Sequence, residues 1–391
     1  MNRRSLLLPL VALSWLVGDA RSTLRACPFC TAMTETLGEQ IGNMDAAVLA
    51  HLLEAAPLEA GPTESAALTA VKGRFRIVEV LKEEPSLADT KVIETVFSGS
   101  VQQKPGAIYL LMGVGAPKWM WSAPAPLSDR ACAYLRQVLR LPKDDAARLA
   151  FFLQYLEDPE QLLAVDAYEE FARAPYTAVQ SLKAQMDRPR LIAWIQDANV
   201  PVSRKRLYLT MLGICGGKAD LPFLEGLLRS EKRSPQSGLD ALIACYLMLS
   251  GRDGMPLIED VFLKDPKAEY ADTYAAIVAL RFHGSETDVI PRERLLAGLR
   301  TVLDRPQLAD LVIPDLARWE DWSVMPRLVR LFKEAQEANS WVRVPVVNYL
   351  RACPLPEAKE HLAELEKIDP AAVKRASSLF PFGGASPAAR P

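Results

Sequence analysis

Residues 222–228 read Pro-Phe-Leu-Glu-Gly-Leu-Leu, in which apolar residues stand two and six positions after the proline, at Leu224 and Leu228. Proline suits the first turn of a helix, where its missing N–H is not needed. Apolar side chains one turn apart form a stripe that faces a core. The stretch therefore predicts a short helix that begins near Pro222 and buries one face.

The same pattern recurs at intervals of 33–35 residues through the C-terminal half of the chain. The anchor residues are Pro189, Pro222, Pro256, Pro291, Pro326 and Lys359. Glu293 and His361 break the apolar pattern in the fourth and last units. Self-similarity at a fixed period is typical of stacked structural repeats, so this half is predicted to be a repeat array.

A second apolar segment precedes each anchor and predicts a partner helix. These segments span residues 205–212, 239–249, 273–280, 308–317 and 341–350. Gly213, Gly251 and Gly284 lie in the predicted turns, where a helix C-cap favours glycine. Pro314 and Pro345 fall inside two partner helices and are predicted to kink them.

The repeat region, residues 143–370, resembles HEAT-like repeats. That resemblance implies an α-solenoid of antiparallel helix pairs with an extended surface for a binding partner. Residues 371–391 are rich in Ala, Ser, Pro and Gly, and they are predicted to form a tail that is disordered beyond about Ser378.

Residues 27–142 change period and contain short β-favouring runs separated by glycine and proline. These runs are residues 71–80, 91–97 and 107–112. The apolar segment 45–55 is compatible with either a helix or the opening strand. Ser128 is a suitable N-cap for a closing helix that carries Cys132. Several strands with a flanking helix predict a small β-barrel.

The phrase Gly-Arg-Phe-Arg-Ile-Val-Glu-Val-Leu-Lys at 73–82, followed by Pro-Gly-Ala-Ile-Tyr-Leu-Leu at 105–111, resembles the OB-type barrel of netrin-like modules. These modules include the tissue inhibitors of metalloproteinases. The inhibitors carry Cys-x-Cys at the mature N-terminus and this chain carries Cys-x-x-Cys, so their mechanism is not transferred. The expected fold is a multidomain α plus β chain, an OB-like barrel followed by an α-solenoid.

Residues 1–20 have the features of a secretory signal peptide: a basic start, an apolar run and small residues at Gly18-Asp-Ala20. The run is about 14 residues, shorter than the roughly 20 that span a membrane. A lipid-attachment box at 24–27, Leu-Arg-Ala-Cys, is the alternative, and Arg25 argues against it. We expect a secreted or periplasmic protein without a membrane span in its mature chain.

The motif Cys27-Pro-Phe-Cys30 resembles the active dithiol of glutaredoxins and thioredoxin-like proteins. In that family a strand precedes the motif and a helix follows it, because the helix N-terminus stabilises the thiolate. Here a helix is predicted over 31–41, but no strand precedes it. A structural disulfide and a redox dithiol both remain open. In the structural alternative, Cys27 and Cys30 pair with each other, or one of them pairs with Cys132.

Two other groups are candidate binding residues. Trp119 and Trp121 form either an exposed aromatic loop or the cover of one end of the barrel. The basic cluster Arg204, Lys205 and Arg206 either decorates the solenoid surface or contacts an acidic partner.

Composition and motif content limit the function. With 46 basic and 48 acidic side chains, the net charge of −2 argues against a nucleic-acid binder. No phosphate-binding loop, nucleophile elbow or zinc helix occurs, and the three histidines lie far apart. His283 lies in a predicted repeat turn, as a capping or surface residue. We therefore expect no metal and no cofactor. The predicted function is a non-enzymatic exported scaffold that binds a protein partner; the alternative is a thiol–disulfide oxidoreductase that uses Cys27 and Cys30.

Overall fold

A computed structural model describes residues 29–57, 70–98, 106–116, 118–230 and 238–379. An antiparallel sheet occupies the N-terminal part and a long series of helices follows, which confirms an α plus β chain. The predicted signal peptide, the predicted lipid-attachment box and Cys27 lie outside the described residues. The strands are β1 (Ala46–Pro57), β2 (Ala70–Lys82), β3 (Val92–Ser98), β4 (Ile108–Val114), β5 (Met120–Trp121) and β6 (Ala125–Leu127).

Strand β1 is the centre of the sheet and pairs antiparallel with β2 on one side and β4 on the other. Strand β3 extends the sheet beyond β2, and both β5 and β6 pair with β4. Both faces of β1 are buried: Val48 joins a cluster with Phe75, while Leu49 joins the core of the helical region. A strand buried on both faces has a continuous apolar sequence. The segment 45–55, which its sequence left open between helix and strand, is therefore a strand.

One helix precedes the sheet, and the others follow it, separated by short turns. They are α1 (Leu37–Asn43), α2 (Asp129–Val138), α3 (Asp145–Phe152), α4 (Gln161–Arg173), α5 (Tyr176–Ser181), α6 (Arg188–Gln196), α7 (Val202–Cys215), α8 (Leu221–Leu228), α9 (Leu239–Ser250), α10 (Met255–Ile258), α11 (Tyr270–Glu286), α12 (Arg292–Val302), α13 (Ile313–Arg318), α14 (Met325–Glu334), α15 (Arg343–Ala352), α16 (Pro356–Ile368) and α17 (Pro370–Leu379). Ser128 caps α2 as predicted, with its hydroxyl accepting from the Ala131 N–H at 2.9 Å.

The five anchor prolines all stand at the start of a helix, as the repeat pattern predicts. Four lie in the first turn of α6, α8, α10 and α14, and Pro291 is the N-cap of α12. In the fourth unit the buried stripe is Leu295 and Leu299 instead of the predicted positions at Glu293 and Ala297. Helix α12 begins after its proline, whereas the other anchor prolines lie inside the first turn. Its buried positions are therefore two residues later in the sequence than the repeat pattern predicts.

Ion pairs connect elements about one repeat apart in sequence. Arg206 Nε lies 2.9 Å from an Asp240 oxygen and Arg281 Nη2 lies 2.7 Å from an Asp315 oxygen, each pair separated by 34 residues. Arg294 likewise pairs with Glu259, 35 residues away. These ion pairs join α7 to α9 and α11 to α13.

Two predicted kinks are absent, because the prolines start helices instead. Pro314 lies in the first turn of α13, after a separate 3-10 turn at Ala309–Leu311, and Pro345 lies in the first turn of α15. A proline there removes an N–H that has no partner within the helix.

The predicted turn at residues 283–286 is also wrong, because α11 continues to Glu286. Gly284 instead allows Trp319 to approach, since an added Cβ would lie 2.2 Å from that ring.

Helix α17 occupies the start of the predicted tail, extends to Leu379 and buries Ala372 and Ala376. Residues 380–391 lie outside the described residues.

Within the described residues, one stretch, Leu239–Leu263, is long and apolar enough to cross a membrane. More than half of its most apolar window, 56%, is buried within the protein. A left-handed residue, Gly251, interrupts it at φ 63°.

Candidate functional site

Residues 29–36 precede α1 and are called here the N-terminal segment. They contain no helix, although the sequence predicts one from residue 31. The helix starts only at Leu37, because Thr36 and Glu39 form a capping box: the Thr36 hydroxyl accepts from the Glu39 N–H at 3.2 Å and the Glu39 carboxylate accepts from the Thr36 N–H at 2.9 Å. The backbone N–H groups of the segment are therefore available to other partners.

Helix α4 binds the backbone of this segment through polar side chains. The Glu169 carboxylate accepts from the Met33 N–H at 3.1 and 3.0 Å, and the Asp166 carboxylate accepts from the Leu37 N–H at 2.6 Å. Arg173 donates to the Thr34 carbonyl oxygen and, at 2.7 Å, to Glu169. Asp166, Glu169 and Arg173 share one face of the helix, since they are three and four residues apart. We call these three residues the backbone clamp.

The clamp contacts the main chain and leaves the side chains of residues 31–35 exposed. Met33 shows this most clearly, because its N–H is bound by Glu169 while its side chain is 76% exposed. Recognition at these positions therefore depends on the path of the backbone and little on the residue type.

Asp166 is the most buried member of the clamp, with 3% of its surface exposed. Its second oxygen accepts from the Tyr134 hydroxyl at 2.7 Å, which ties the segment to α2. Burial raises the pKa of Asp166 to about 6, although the hydrogen bonds from Leu37 and Tyr134 oppose that rise. The clamp thus contains a carboxyl group that titrates near neutral pH.

Phe29, the first described residue, fills a pocket among the helices and is only 6% exposed. Its ring centre lies 4.9 Å from that of Phe282 in an edge-to-face arrangement, and Phe282 contacts Tyr176 in the same way at 5.3 Å. The pocket is lined by Tyr176, Leu209, Thr210, Gly213, Ala241, Ala244, Cys245, Met248 and Phe282, from α5, α7, α9 and α11. With Phe29 in place, about 10 Å³ of space remains. We call it the anchor pocket.

His283 lies beside the anchor pocket and is completely buried, whereas the sequence predicts a capping or surface residue. Its Nε2 is 3.1 Å from the Ala244 carbonyl oxygen, and its Nδ1 is 3.1 Å from the Thr287 hydroxyl. Burial lowers the pKa of His283 to about 4, so the ring is neutral at pH 7. Because a carbonyl oxygen only accepts, Nε2 carries the proton. His283 therefore links α11 to α9 and has a structural role.

The cysteines separate into one disulfide and several free thiols. Cys30 is disulfide-bonded, while Cys132, Cys215, Cys245 and Cys353 are free. Cys132 is thus not a partner of Cys30, and Cys27, the sixth cysteine of the sequence, lies outside the described residues. Burial raises the pKa of the Cys132 and Cys215 thiols, which makes both poor nucleophiles.

The two tryptophans stack on each other, with ring centres 5.4 Å apart, and both are half-buried. They pack against the sheet cluster that contains Phe75. Gly113 on β4 makes room for them, because an added Cβ would lie 2.9 Å from the Trp119 ring. Trp119 and Trp121 therefore contribute part of their surface to the core of the sheet.

The basic cluster is largely neutralised within the fold. Arg204 is buried and lies 3.2 Å from Glu157, and Arg206 pairs with Asp240, while Lys205 is half-buried. No local pattern indicates the carboxylate partners, because they are 47 and 34 residues away.

Within the described ranges, no three His, Cys, Asp or Glu side chains are grouped so that they could hold a metal ion. No known family model matches the chain, and no curated protein matches it either.

Proposed function

We propose that this chain is an exported, non-enzymatic interaction protein whose helical region binds a segment of a protein partner. The observation that carries the proposal is the bound N-terminal segment, since the helices already hold a stretch of polypeptide. An aromatic side chain fills the anchor pocket, and the clamp binds the backbone that follows. The side chains of residues 31–35 are exposed, and Arg173 pairs with the Glu39 carboxylate at 3.1 Å, so selectivity for a partner falls mainly on the residue in the anchor pocket.

We further propose that residues 143–370 are a HEAT-like α-solenoid and that residues 27–142 are an OB-like barrel of netrin-like type. The prolines at the helix starts and the ion pairs 34 residues apart support the solenoid. The antiparallel order β3-β2-β1-β4 and the register shifts between β1 and β2 support the barrel, because bulges bend and twist a strand.

Export is proposed to the periplasm or the cell exterior. The disulfide at Cys30 supports this, because disulfides persist in oxidising compartments.

The test is peptide binding by the full chain. The probe is a fluorescently labelled peptide of residues 29–40 that carries Cys30→Ser. The receiving chain carries both Phe29→Ala and Met33→Pro, and binding of the peptide to it is measured by fluorescence anisotropy. Phe29→Ala empties the anchor pocket and Met33→Pro removes the N–H that Glu169 binds, so the chain's own segment is displaced more easily. We expect this chain to bind the peptide at least about tenfold more tightly than the wild type does.

The controls are a Met33→Ala chain and a peptide with Phe29→Ala. The Met33→Ala chain keeps the N–H and should behave like the wild type, and the altered peptide should not bind. Failure of the opened chain to bind the peptide, while it still unfolds cooperatively, would contradict the proposed function.

A second candidate is a thiol–disulfide oxidoreductase that uses Cys27 and Cys30. The disulfide at Cys30, which lies half-buried, favours it. The late start of α1 disfavours it, because the helix N-terminus at Leu37 is seven residues beyond Cys30 and is occupied by Asp166. We expect no turnover of insulin disulfides. Turnover that is lost in a Cys27→Ser chain would establish the oxidoreductase instead.

A further inference from the structure

A second cavity, open to solvent, lies between α3 and α6 and does not touch the N-terminal segment. Its volume is about 340 Å³, which is within the range of small-molecule sites. Its apolar wall consists of Ala150, Leu153, Met186, Leu191 and Trp194, and its polar groups are Gln154, Gln185, Asp187 and Arg190. An apolar wall with a few polar groups is the usual composition of a ligand pocket.

Arg190 is the cation of this cavity, and its exposed side chain lies over the Trp194 ring. Its guanidinium carbon lies 4.5 Å from the centre of the Trp194 ring, and Trp194 in turn contacts the Tyr208 ring at 4.7 Å. Stacking uses the face of a guanidinium and leaves the N–H groups on its edge free to donate. A planar acceptor beside Trp194 would therefore meet a pair of N–H donors.

Arg190 has no carboxylate partner in the described part of the chain, unlike the arginines around it. Arg188 pairs with Asp220 and Arg204 with Glu157. Asp187, the one acidic residue that lines the cavity, accepts from the backbone N–H of Arg190 at 3.1 Å as the N-cap of α6. One of its oxygens is thus already used by the helix.

We propose that this cavity binds the carboxylate of a small acid that carries an apolar group, either a free acid or the C-terminal residue of a peptide. Arg190 donates two hydrogen bonds to the carboxylate, as guanidinium groups do in bidentate pairs. The apolar group lies against Trp194 and Leu153, and the glutamine amides bind the polar atoms beside it. This site is independent of the anchor pocket and goes beyond the proposed function.

The experiment is calorimetric titration of the full chain with three probes. These are N-acetyl-phenylalanine, its primary amide, and an acetylated tetraglycyl-phenylalanine peptide with a free carboxyl terminus. We expect the free acid to bind at least about tenfold more tightly than the amide, because a hydrogen-bonded charge pair is lost in the amide. Tighter binding of the peptide than of the free acid assigns the site to a peptide terminus, and the reverse order assigns it to a free acid.

Variants decide whether Arg190 is responsible. Arg190→Gln should weaken binding of the acid by at least about tenfold and leave the amide unchanged. Arg330→Gln, at an exposed arginine on α14, is the matched control and should bind like the wild type. Equal affinity for acid and amide, or an Arg190→Gln chain that binds the acid as well as the wild type, would overturn the proposal. Thermal unfolding of each variant checks that it is folded.

Discussion

The anchor pocket and the backbone clamp hold the same segment by opposite means. The pocket is apolar and nearly filled by one ring, whereas the clamp is charged and binds main-chain atoms, among them the N–H of Met33, whose side chain is exposed. Burial of a ring supplies most of the free energy in such a contact, because removing apolar surface from water is the dominant favourable term. Hydrogen bonds to the backbone contribute less but fix the register. The comparison indicates that α5, α7, α9 and α11 provide the affinity for the segment, whereas α4 sets the position of its backbone.

The largest effect is expected at the pocket. Phe29→Ala removes the whole ring and should lower the free energy of unfolding by about 3–5 kcal/mol, as other buried phenylalanines do when truncated. Chemical denaturation of the full chain measures it. Phe29→Leu keeps most of the apolar volume and should lose less than half of that amount. A loss below about 1 kcal/mol for Phe29→Ala would show that the pocket contributes little.

The next effect is a pH dependence of the clamp. Burial raises the pKa of Asp166 to about 6 from the ordinary 3.8, so the folded chain binds this proton more tightly than the unfolded chain does. The stability that this group contributes is therefore fully present below about pH 4 and is lost as the pH rises through 6, by up to about 3 kcal/mol.

Denaturation of the wild type and of Asp166→Asn at pH 4 and pH 7 tests this. The difference in unfolding free energy between the two chains should shift in favour of the variant at pH 7. A difference that does not change with pH would mean that Asp166 titrates in its ordinary range.

A smaller loss is expected at Glu169. Glu169→Gln removes the charge that binds the Met33 N–H and Arg173, and the unfolding free energy should fall by about 1–2 kcal/mol. Glu35→Gln is the control, since Glu35 is exposed in the same segment. Equal losses of unfolding free energy in Glu169→Gln and Glu35→Gln would show that Glu169 does not stabilise the segment through the clamp.

The smallest effect is expected at Met33, where only the backbone is bound. Met33→Ala should change the unfolding free energy by less than about 0.5 kcal/mol, because its side chain is exposed. A loss greater than 1 kcal/mol would show that the clamp recognises this side chain as well.

Local sequence patterns predict the helices and strands of this fold better than they predict the tertiary contacts between them. The anchor prolines and the Ser128 cap mark helix starts because they act within one turn, and the structure has those helices. The start of α1 was mispredicted although its signal is present, since Thr36 and Glu39 have the spacing of a capping box.

The site depends on contacts that no local pattern contains. Phe29 meets Phe282 across most of the chain, and Met33 meets Glu169 after 136 residues. Neither phenylalanine differs in sequence from an ordinary core residue. His283 was likewise predicted to be a capping or surface residue because its partner, the Ala244 carbonyl, belongs to another helix.

Amide hydrogen exchange of the N-terminal segment tests most directly that the helical region holds this segment by its backbone. In the wild type, the Met33 and Leu37 amides, bound by Glu169 and Asp166, should exchange much more slowly than the amide of Ala32. In the Phe29→Ala chain both should become fast while the amides of α9 stay protected. Fast exchange of Met33 in the wild type, or unchanged protection after loss of the Phe29 ring, would contradict the account.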